Sequence, residues 1–356
     1  MTRQSCPQSG HALVAGATGI VGARIAERLH SRGWRVTGAC RRPPAEPFPY
    51  ELIAVDLTDA RDCREKMERL TTLTHVFYAA RYDHPEGQAE SVEVNASMLV
   101  NLVNAIEPRA RALRHVHMVH GTKYYGHMRG PLEVPLTEES ARARVPNFYF
   151  THEDFIRERQ HGKSWTYSTS RPHTFCDLST AEPRNAALLI ALHATLAAAR
   201  GLPLTYPGTE RSFHARTQFT FVPMLACAIE WMATDERCSN QAYHVVNGDS
   251  PRWSELWPQF AAYFGLEPGG AHPTRLADDV ARQAPLWETL IARHGLAAVP
   301  LTQRVLWPYA DYLFAPEWDI ISSMSKARRD GFNEEVNSAR MFLDLFEHFR
   351  QNKIIP

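Results

Sequence analysis

The stretch GATGIVG, Gly16 to Gly22, decides the fold of this chain, with Gly16, Gly19 and Gly22 at three-residue spacing. Before it stands the apolar run HALVAG, and after it the amphipathic GIVGARIAERLHSRG, which closes on Gly33. A strand, a glycine turn and a helix in that order are the context in which such a fingerprint holds a dinucleotide. The first glycine permits the tight turn. The second lets backbone N–H groups approach a pyrophosphate at the helix start, and the third lets helix and strand pack closely. Gly16, Thr18, Gly19, Ile20, Val21 and Gly22 are the first candidate cofactor contacts. The alternative is an ordinary glycine-rich strand-to-helix turn.

Outward from the motif, the first half keeps alternating. WRVTGAC reads as a second strand, YELIAVDL as a third, THVFYAAR as a fourth, LRHVHMVHG as a fifth and SWTYSTSRP as a sixth. Helices are predicted over 59–70, over 88–106 and from Asn147 onward. That rhythm implies a parallel sheet with right-handed crossovers. The second half is more helical and is broken at Pro203, Pro207, Pro251 and PGGAHP (268–273), while AYHVVNGD, near 242–247, is expected to return to the main sheet. The predicted fold is α/β: a Rossmann-type doubly wound parallel sheet with a smaller, mainly helical C-terminal region. Residues 1–180 are expected to form the NADP(H)-binding core and residues 181–356 the substrate-binding cap.

The second strand selects between dinucleotides. An NAD site places an acid at its end to bond the ribose 2′-OH. Here the strand ends TGACRRPP, so Cys40 stands near the acid's place and Arg41 and Arg42 follow. Guanidinium groups suit a 2′-phosphate, so the expected cofactor is NADPH/NADP+; the alternative is a pair of solvated loop arginines. Asp56 and Leu57, after the third strand, are expected to meet the adenine, and Ala79 and Ala80, ending the fourth, join the cofactor contacts. Pro172 ends the sixth strand and is expected on the nicotinamide side.

Composition narrows the classes. With 356 residues the chain can bury a large core. Its formal net charge is zero, so nucleic acid is not an expected partner. The cysteines are scattered with no C-x-x-C pair, which speaks against a disulfide framework or a zinc ribbon. No long apolar segment precedes the glycine motif, and AALLIALHATLAAA is too short to span a bilayer. A cytoplasmic, membrane-free protein, monomer or homodimer, with a small-molecule carbonyl substrate is expected. His115, His117 and His120 lie in one stretch, but no Cys or carboxylate completes a ligand spacing. Buried or edge histidines are expected and no metal.

The segment NFYFTHED, 147–154, opens a helix where short-chain dehydrogenases carry Tyr-x-x-x-Lys, yet four residues after Tyr149 stands Glu153. No tyrosine in the chain has a lysine four residues later. Lys123, in HGTKYYGHMRGP, follows the fifth strand. Carboxyl ends of parallel strands form the active crevice, and the Tyr149 helix begins after the very next loop, so Lys123 and Tyr149 are expected to meet from separate elements. The bland readings are a core aromatic and a loop lysine.

GTKYYGHMRGP followed by PNFYFTHED resembles the paired motifs of the progesterone 5β-reductase/iridoid synthase-like enzymes, an atypical group of extended short-chain dehydrogenases. The likeness continues through HVVNGDSPRWSELWPQFAAYFG, PLWETLIARHGL, SMSKARRDGF and the final KIIP. It implies NADPH-dependent reduction of activated C=C bonds in enones or enals, with Tyr149 and Lys123 as the catalytic pair, both also touching the cofactor. In such a reaction negative charge develops on the carbonyl oxygen, where a tyrosine O–H stabilises it and a nearby ammonium strengthens the donor. An NADPH-dependent carbonyl reductase or alcohol dehydrogenase is the alternative, and a catalytically silent NADP(H) sensor a further one.

Two departures from that group bear on substrate. Phe150 replaces its second tyrosine, and Arg81 ends the fourth strand where a tryptophan is expected. Arg81 suggests a substrate more polar than a steroid; the alternative is pairing with Asp83 or Glu86. Arg81, His120, Phe150 and Phe213 are the candidate substrate contacts. Asn95 is expected to bond backbone near the site, Trp253 and Trp257 to pack their helix, and Trp307 to Phe314 to form a lid.

Overall fold

A computed structural model of the chain describes residues 10–45, 47–83, 90–180 and 183–356. Seven parallel strands make the main sheet: β1 (His11–Ala15), β2 (Arg35–Cys40), β3 (Glu51–Ala54), β4 (His75–Tyr78), β5 (His115–Val119), β6 (Thr166–Pro172) and β7 (Gln241–Val245). Their order is β7-β6-β5-β4-β1-β2-β3. The order reverses between β1 and β4, the topological switch point at which open α/β sheets bind ligands. β7, drawn from the second half, pairs with β6 as expected.

Helices α1 (Ile20–Ser31), α2 (Ala60–Lys66), α3 (Val92–Ile106) and α4 (Phe148–Gln160) serve the first half. All five residues of β1 are buried because the sheet is covered on both faces. Ala12 and Val14 point to one core, shared with α1 and the helix Val222–Thr234, while Leu13 and Ala15 point to the other, shared with α2, α3 and α4. A third core builds the cap around Ala186–Ala199, a helix buried almost all round. This is the apolar stretch of the sequence, a core helix by virtue of having no polar face. Trp253 and Trp257 pack into the same core. Among the described residues no helix is long and apolar enough to cross a membrane.

Some boundaries differ from expectation. α2 stops at Lys66, while Met67 and Leu70 continue into the core as turns. β3 ends at Ala54, since Val55 and Leu57 turn inward toward the core under α2. α3 starts at Val92, capped by the Ser91 side chain, and residues 88–89 of the predicted helix lie outside the described residues, as does Glu86.

The histidines of the sheet are buried and paired with hydroxyls. His115 bonds Thr166 and Ser168, and His117 bonds Ser168 and Ser170, all at 2.7–3.1 Å. His11 bonds Thr37 and Thr72, and His75 bonds Thr74. Burial holds them neutral, with His75 lowered to about 4 and His117 to about 3.

Candidate active site

The glycine turn forms the floor of a cleft of about 260 Å³ at the carboxyl ends of the strands. Gly16 has φ +80°, and a Cβ there would stand 2.9 Å from the Ala79 carbonyl. A Cβ on Gly22 would stand 2.0 Å from the Gly16 carbonyl oxygen, so α1 can approach the turn only without one. Gly16 and Ala17 N–H groups donate to the Ala39 carbonyl, at 2.9 and 3.2 Å, which pins the turn to β2. α2, α3 and α4 are capped by the Asp59, Ser91 and Asn147 side chains, but α1 begins at Gly19 with no side-chain cap. Its first-turn amides, carrying the positive end of the helix dipole, are left for an anion. A dinucleotide fits this cradle.

The expected cofactor contacts largely converge. Gly16, Thr18, Gly19, Ile20 and Val21 line the floor, and Arg41, Leu57, Ala79 and Ala80 line the walls. Gly22 acts from behind the turn. Arg42 is exposed and does not line the cleft. Asp56 turns into its own loop, its carboxylate accepting from the Thr58 N–H and hydroxyl at 2.9 and 2.7 Å. Pro172 does not line the cleft; its carbonyl stands 3.3 Å from where a Gly121 Cβ would be.

Tyr149 lines the cleft, its hydroxyl 3.7 Å from the position of a Gly121 Cβ. Lys123 lies in the short turn Thr122–Tyr125 just after β5. One buried side chain joins the two: Asn147 accepts from the Tyr149 N–H through Oδ1 and donates from Nδ2 to the Lys123 carbonyl, both at 3.1 Å. The Lys123 ammonium is turned toward Glu90, with which it pairs, and lies 5.7 Å from the centre of the Phe148 ring. Burial lowers the Lys123 pKa, the Glu90 partner offsets part of that, and Arg81 adds to the lowering. Burial pushes the Tyr149 phenol up to about 12, against a downward pull from Arg81 and with a further push from Glu90.

Glu153, in the place of the usual lysine, is locked into a structural network. It accepts from the Tyr124 hydroxyl at 2.8 Å and from Arg142 at 2.9 Å, and pairs with Arg171 at 3.4 Å and Arg157 at 3.5 Å. Arg171, 2 % exposed, also donates to the Tyr125 hydroxyl and the Glu138 carbonyl. Glu153 is the carboxylate that lets this guanidinium be buried.

Of the candidate substrate contacts, Arg81 and His120 line the cleft. Arg81 pairs with Glu90 at 3.1 Å and lies 3.8 Å from Asp83. The His120 ring stacks on Tyr149, centroids 4.5 Å apart, and burial keeps it neutral. Phe150 is not brought there. Successive helical residues point about 100° apart, so with Tyr149 in the cleft Phe150 faces away, onto Tyr124 and Arg142. Phe213 packs on Tyr206 in the cap core, with ring centroids 4.8 Å apart. Asn95 accepts from the Tyr82 N–H and donates to the Ser91 carbonyl, both backbone bonds.

Sequence reasoning missed Glu90, Arg184 and Tyr312. Arg184 lines the cleft and pairs with Asp83 at 2.9 Å. Tyr312, in the helix Trp307–Phe314, lines a separate small pocket with His127, and its hydroxyl lies 3.2 Å from the His127 Nε2. Nothing local marks Glu90 or Arg184, but Tyr312 lies in the stretch expected as a lid. A larger cavity of about 610 Å³, lined by His193, Arg200 and Asp279 among others, lies in the cap and holds none of the motif residues.

Sheet order, glycine turn and crevice define a Rossmann-type α/β protein of the dinucleotide-binding architecture. The chain belongs to the PRISE-like Rossmann-fold family, whose model matches residues 56–356. It is 31 % identical over 367 residues to an (S)-8-oxocitronellyl enol synthase of Camptotheca acuminata, covering 97 % of this chain and 93 % of that protein. It is 32 % identical to a 3-oxo-Delta(4,5)-steroid 5-beta-reductase of Arabidopsis thaliana, with the same coverage of both. Among solved structures, the UDP-glucose 4-epimerase of Thermotoga maritima superposes with a TM-score of 0.70 at 12 % identity, over 96 % of this chain and 99 % of that one, a likeness of fold.

Proposed function

We propose that the chain is an NADPH-dependent reductase of activated C=C bonds, acting on an enone or enal of a small, hydrophobic or partly polar carbonyl compound. The observation that carries this reading is the Asn147 clasp, which ties the backbone of Lys123 to the backbone of Tyr149, a residue that lines the glycine-floored cleft. The relatives named for enol synthesis and for steroid 5β-reduction support the substrate class. Residues 1–180 would hold the cofactor and supply Tyr149, His120 and Arg81 to the substrate, with residues 181–356 contributing Arg184 to the same cleft. The glycine turn and Arg41 would hold the cofactor, which would supply the hydride when bound. Tyr149, with its phenol pushed up to about 12, is a neutral donor at working pH. Its O–H holds the carbonyl oxygen of the substrate and stabilises the negative charge that develops there. Lys123 contributes a positive charge beside that donor. His120 stacks on the phenol ring and fixes its orientation, and Arg81 stands at the mouth, where it meets polar substituents.

The test is product analysis. Purified protein is given NADPH or NADH with a panel of enones, enals and saturated ketones, and products are identified by mass spectrometry. Saturation at C=C is expected, reduced at least tenfold in Tyr149→Phe and Lys123→Met. Arg41→Ala should narrow the preference for NADPH over NADH by about tenfold, the worth of one charge-assisted contact. An alcohol product with C=C intact in every case would overturn this reading in favour of carbonyl reduction.

A further inference from the structure

Glu90 stands where the charges of the cleft rim meet. One carboxylate oxygen pairs with the Lys123 ammonium, and the other lies 3.1 Å from the Arg81 guanidinium. The Glu90 side chain is 17 % exposed, while those of Lys123 and Arg81 are 41 % and 43 % exposed, so the carboxylate is shielded and its two partners remain partly in water. The same groups act on Tyr149: Arg81 favours its ionised form and Glu90 opposes it. The other titratable groups at the phenol stay neutral. Burial holds His120 and His152 unprotonated, and Tyr312, from the Trp307–Phe314 helix, is held protonated chiefly by burial. Asp83 lies 3.8 Å from the Arg81 Nε. Two cations therefore share one partly buried anion.

We infer that Glu90 is a positioning residue of the site: it anchors the Lys123 ammonium at the cleft rim, keeps it protonated, and with Arg81 sets the charge beside the Tyr149 hydroxyl. The inference rests on the assignment of Lys123 and Tyr149 above. Lys123 is half-buried, and burial by itself favours the neutral amine. A neutral amine would take one positive charge away from this cluster and leave Glu90 paired with Arg81 alone. Glu90 removes that outcome by stabilising the ammonium, and its second oxygen holds Arg81 so that the guanidinium does not displace the lysine.

The chain has five lysines, so reductive 13C-methylation gives a small set of NMR signals from which Lys123 is assigned with Lys123→Arg. Titration of that signal needs no substrate or cofactor. In Glu90→Gln the Lys123 midpoint should fall by about one pH unit, the effect of losing one close opposite charge. Glu90→Asp should recover part of it. Arg81→Gln should move it the other way, because Arg81 disfavours the ammonium. In turnover, the alkaline limb of kcat/KM should move down by about half a unit to one unit in Glu90→Gln, since Lys123 and Tyr149 both lose protons earlier. A merely structural Glu90 would lower the melting temperature and leave both titrations in place. An unchanged or raised Lys123 midpoint in folded Glu90→Gln, or an Arg81→Gln shift of the same sign, overturns the inference. Absence of C=C reduction by the unaltered protein would instead overturn the functional reading, with the NMR titration still deciding the role of Glu90.

Discussion

Gly22→Ala tests how the cofactor cradle is built. The added methyl would stand 2.0 Å from the Gly16 carbonyl oxygen and 2.6 Å from its carbon. Van der Waals separation is about 3.2 Å, so turn and helix must part by about 1.2 Å, and backbone on both sides leaves no flexible side chain to give way. Overpacking of this kind costs about 1–3 kcal/mol. Without ligand, the turn can relax outward and most of this cost is avoided, so the melting temperature should fall by no more than about 1 °C for a chain of this size. With a dinucleotide bound, turn and helix must return to their close approach. The cost then appears as affinity lost, about 5- to 150-fold in Kd. Gly33→Ala is the control. Gly33 has φ +84°, yet a Cβ there meets nothing within 4 Å. It should lose about 1 kcal/mol to backbone strain alone, about 1 °C, with Kd unchanged. NADPH titration by fluorescence and thermal denaturation of both variants decide. Native affinity in Gly22→Ala, or an equal loss in Gly33→Ala, would refute close packing as the reason for the third glycine.

Two further outcomes are expected. Glu153→Lys, which restores the spacing Tyr-x-x-x-Lys, should destabilise the fold by at least about 3–5 kcal/mol, because it leaves Arg171 buried without its partner and adds a like charge; a soluble variant with native melting temperature and activity surviving Lys123→Met would contradict the structural role given to Glu153. Stability should also fall with acid. His75, His117 and His152 have folded pKa values of about 4, 3 and 4, all lowered by burial. Above about pH 6.5 both folded and unfolded forms are neutral; below it only the unfolded chain takes up protons. Each histidine thus removes up to about 1.4 kcal/mol per pH unit until its folded pKa is reached, and a melting temperature that stays flat from pH 7 to 5 would exclude this.

The sheet was legible because its signals are local. HALVAG, the glycine turn and the helix closing on Gly33 each carry their own pattern, and Ser91 and Asn147 are side chains that cap helices wherever they stand. Lys123 and Tyr149 needed more: family likeness named the residues, strand polarity gave a reason to place them on neighbouring elements, and the structure links their backbones through Asn147. Phe213 and Phe150 illustrate what lay beyond reach, since an aromatic faces cleft or core according to helix phase and tertiary packing. Arg42 and Asp56 failed to line the cleft for a similar reason, the direction of a short loop. Glu90 was invisible because its meaning lies entirely in partners brought to it by the ends of β4 and β5.

The Asn147 clasp frees the chain from a constraint. Where tyrosine and lysine ride one helix, their separation is fixed by the helical repeat, and nothing can be inserted between them. Here a single amide joins two stretches of backbone, and the chain from Gly126 to Leu136 runs out between them to meet the C-terminal half, where the Leu136 N–H donates to the Ile321 carbonyl at 2.7 Å. That excursion can lengthen or shorten without moving either member of the pair. Descendants of such a scaffold can remodel that excursion while the two tied stretches of backbone stay as they were.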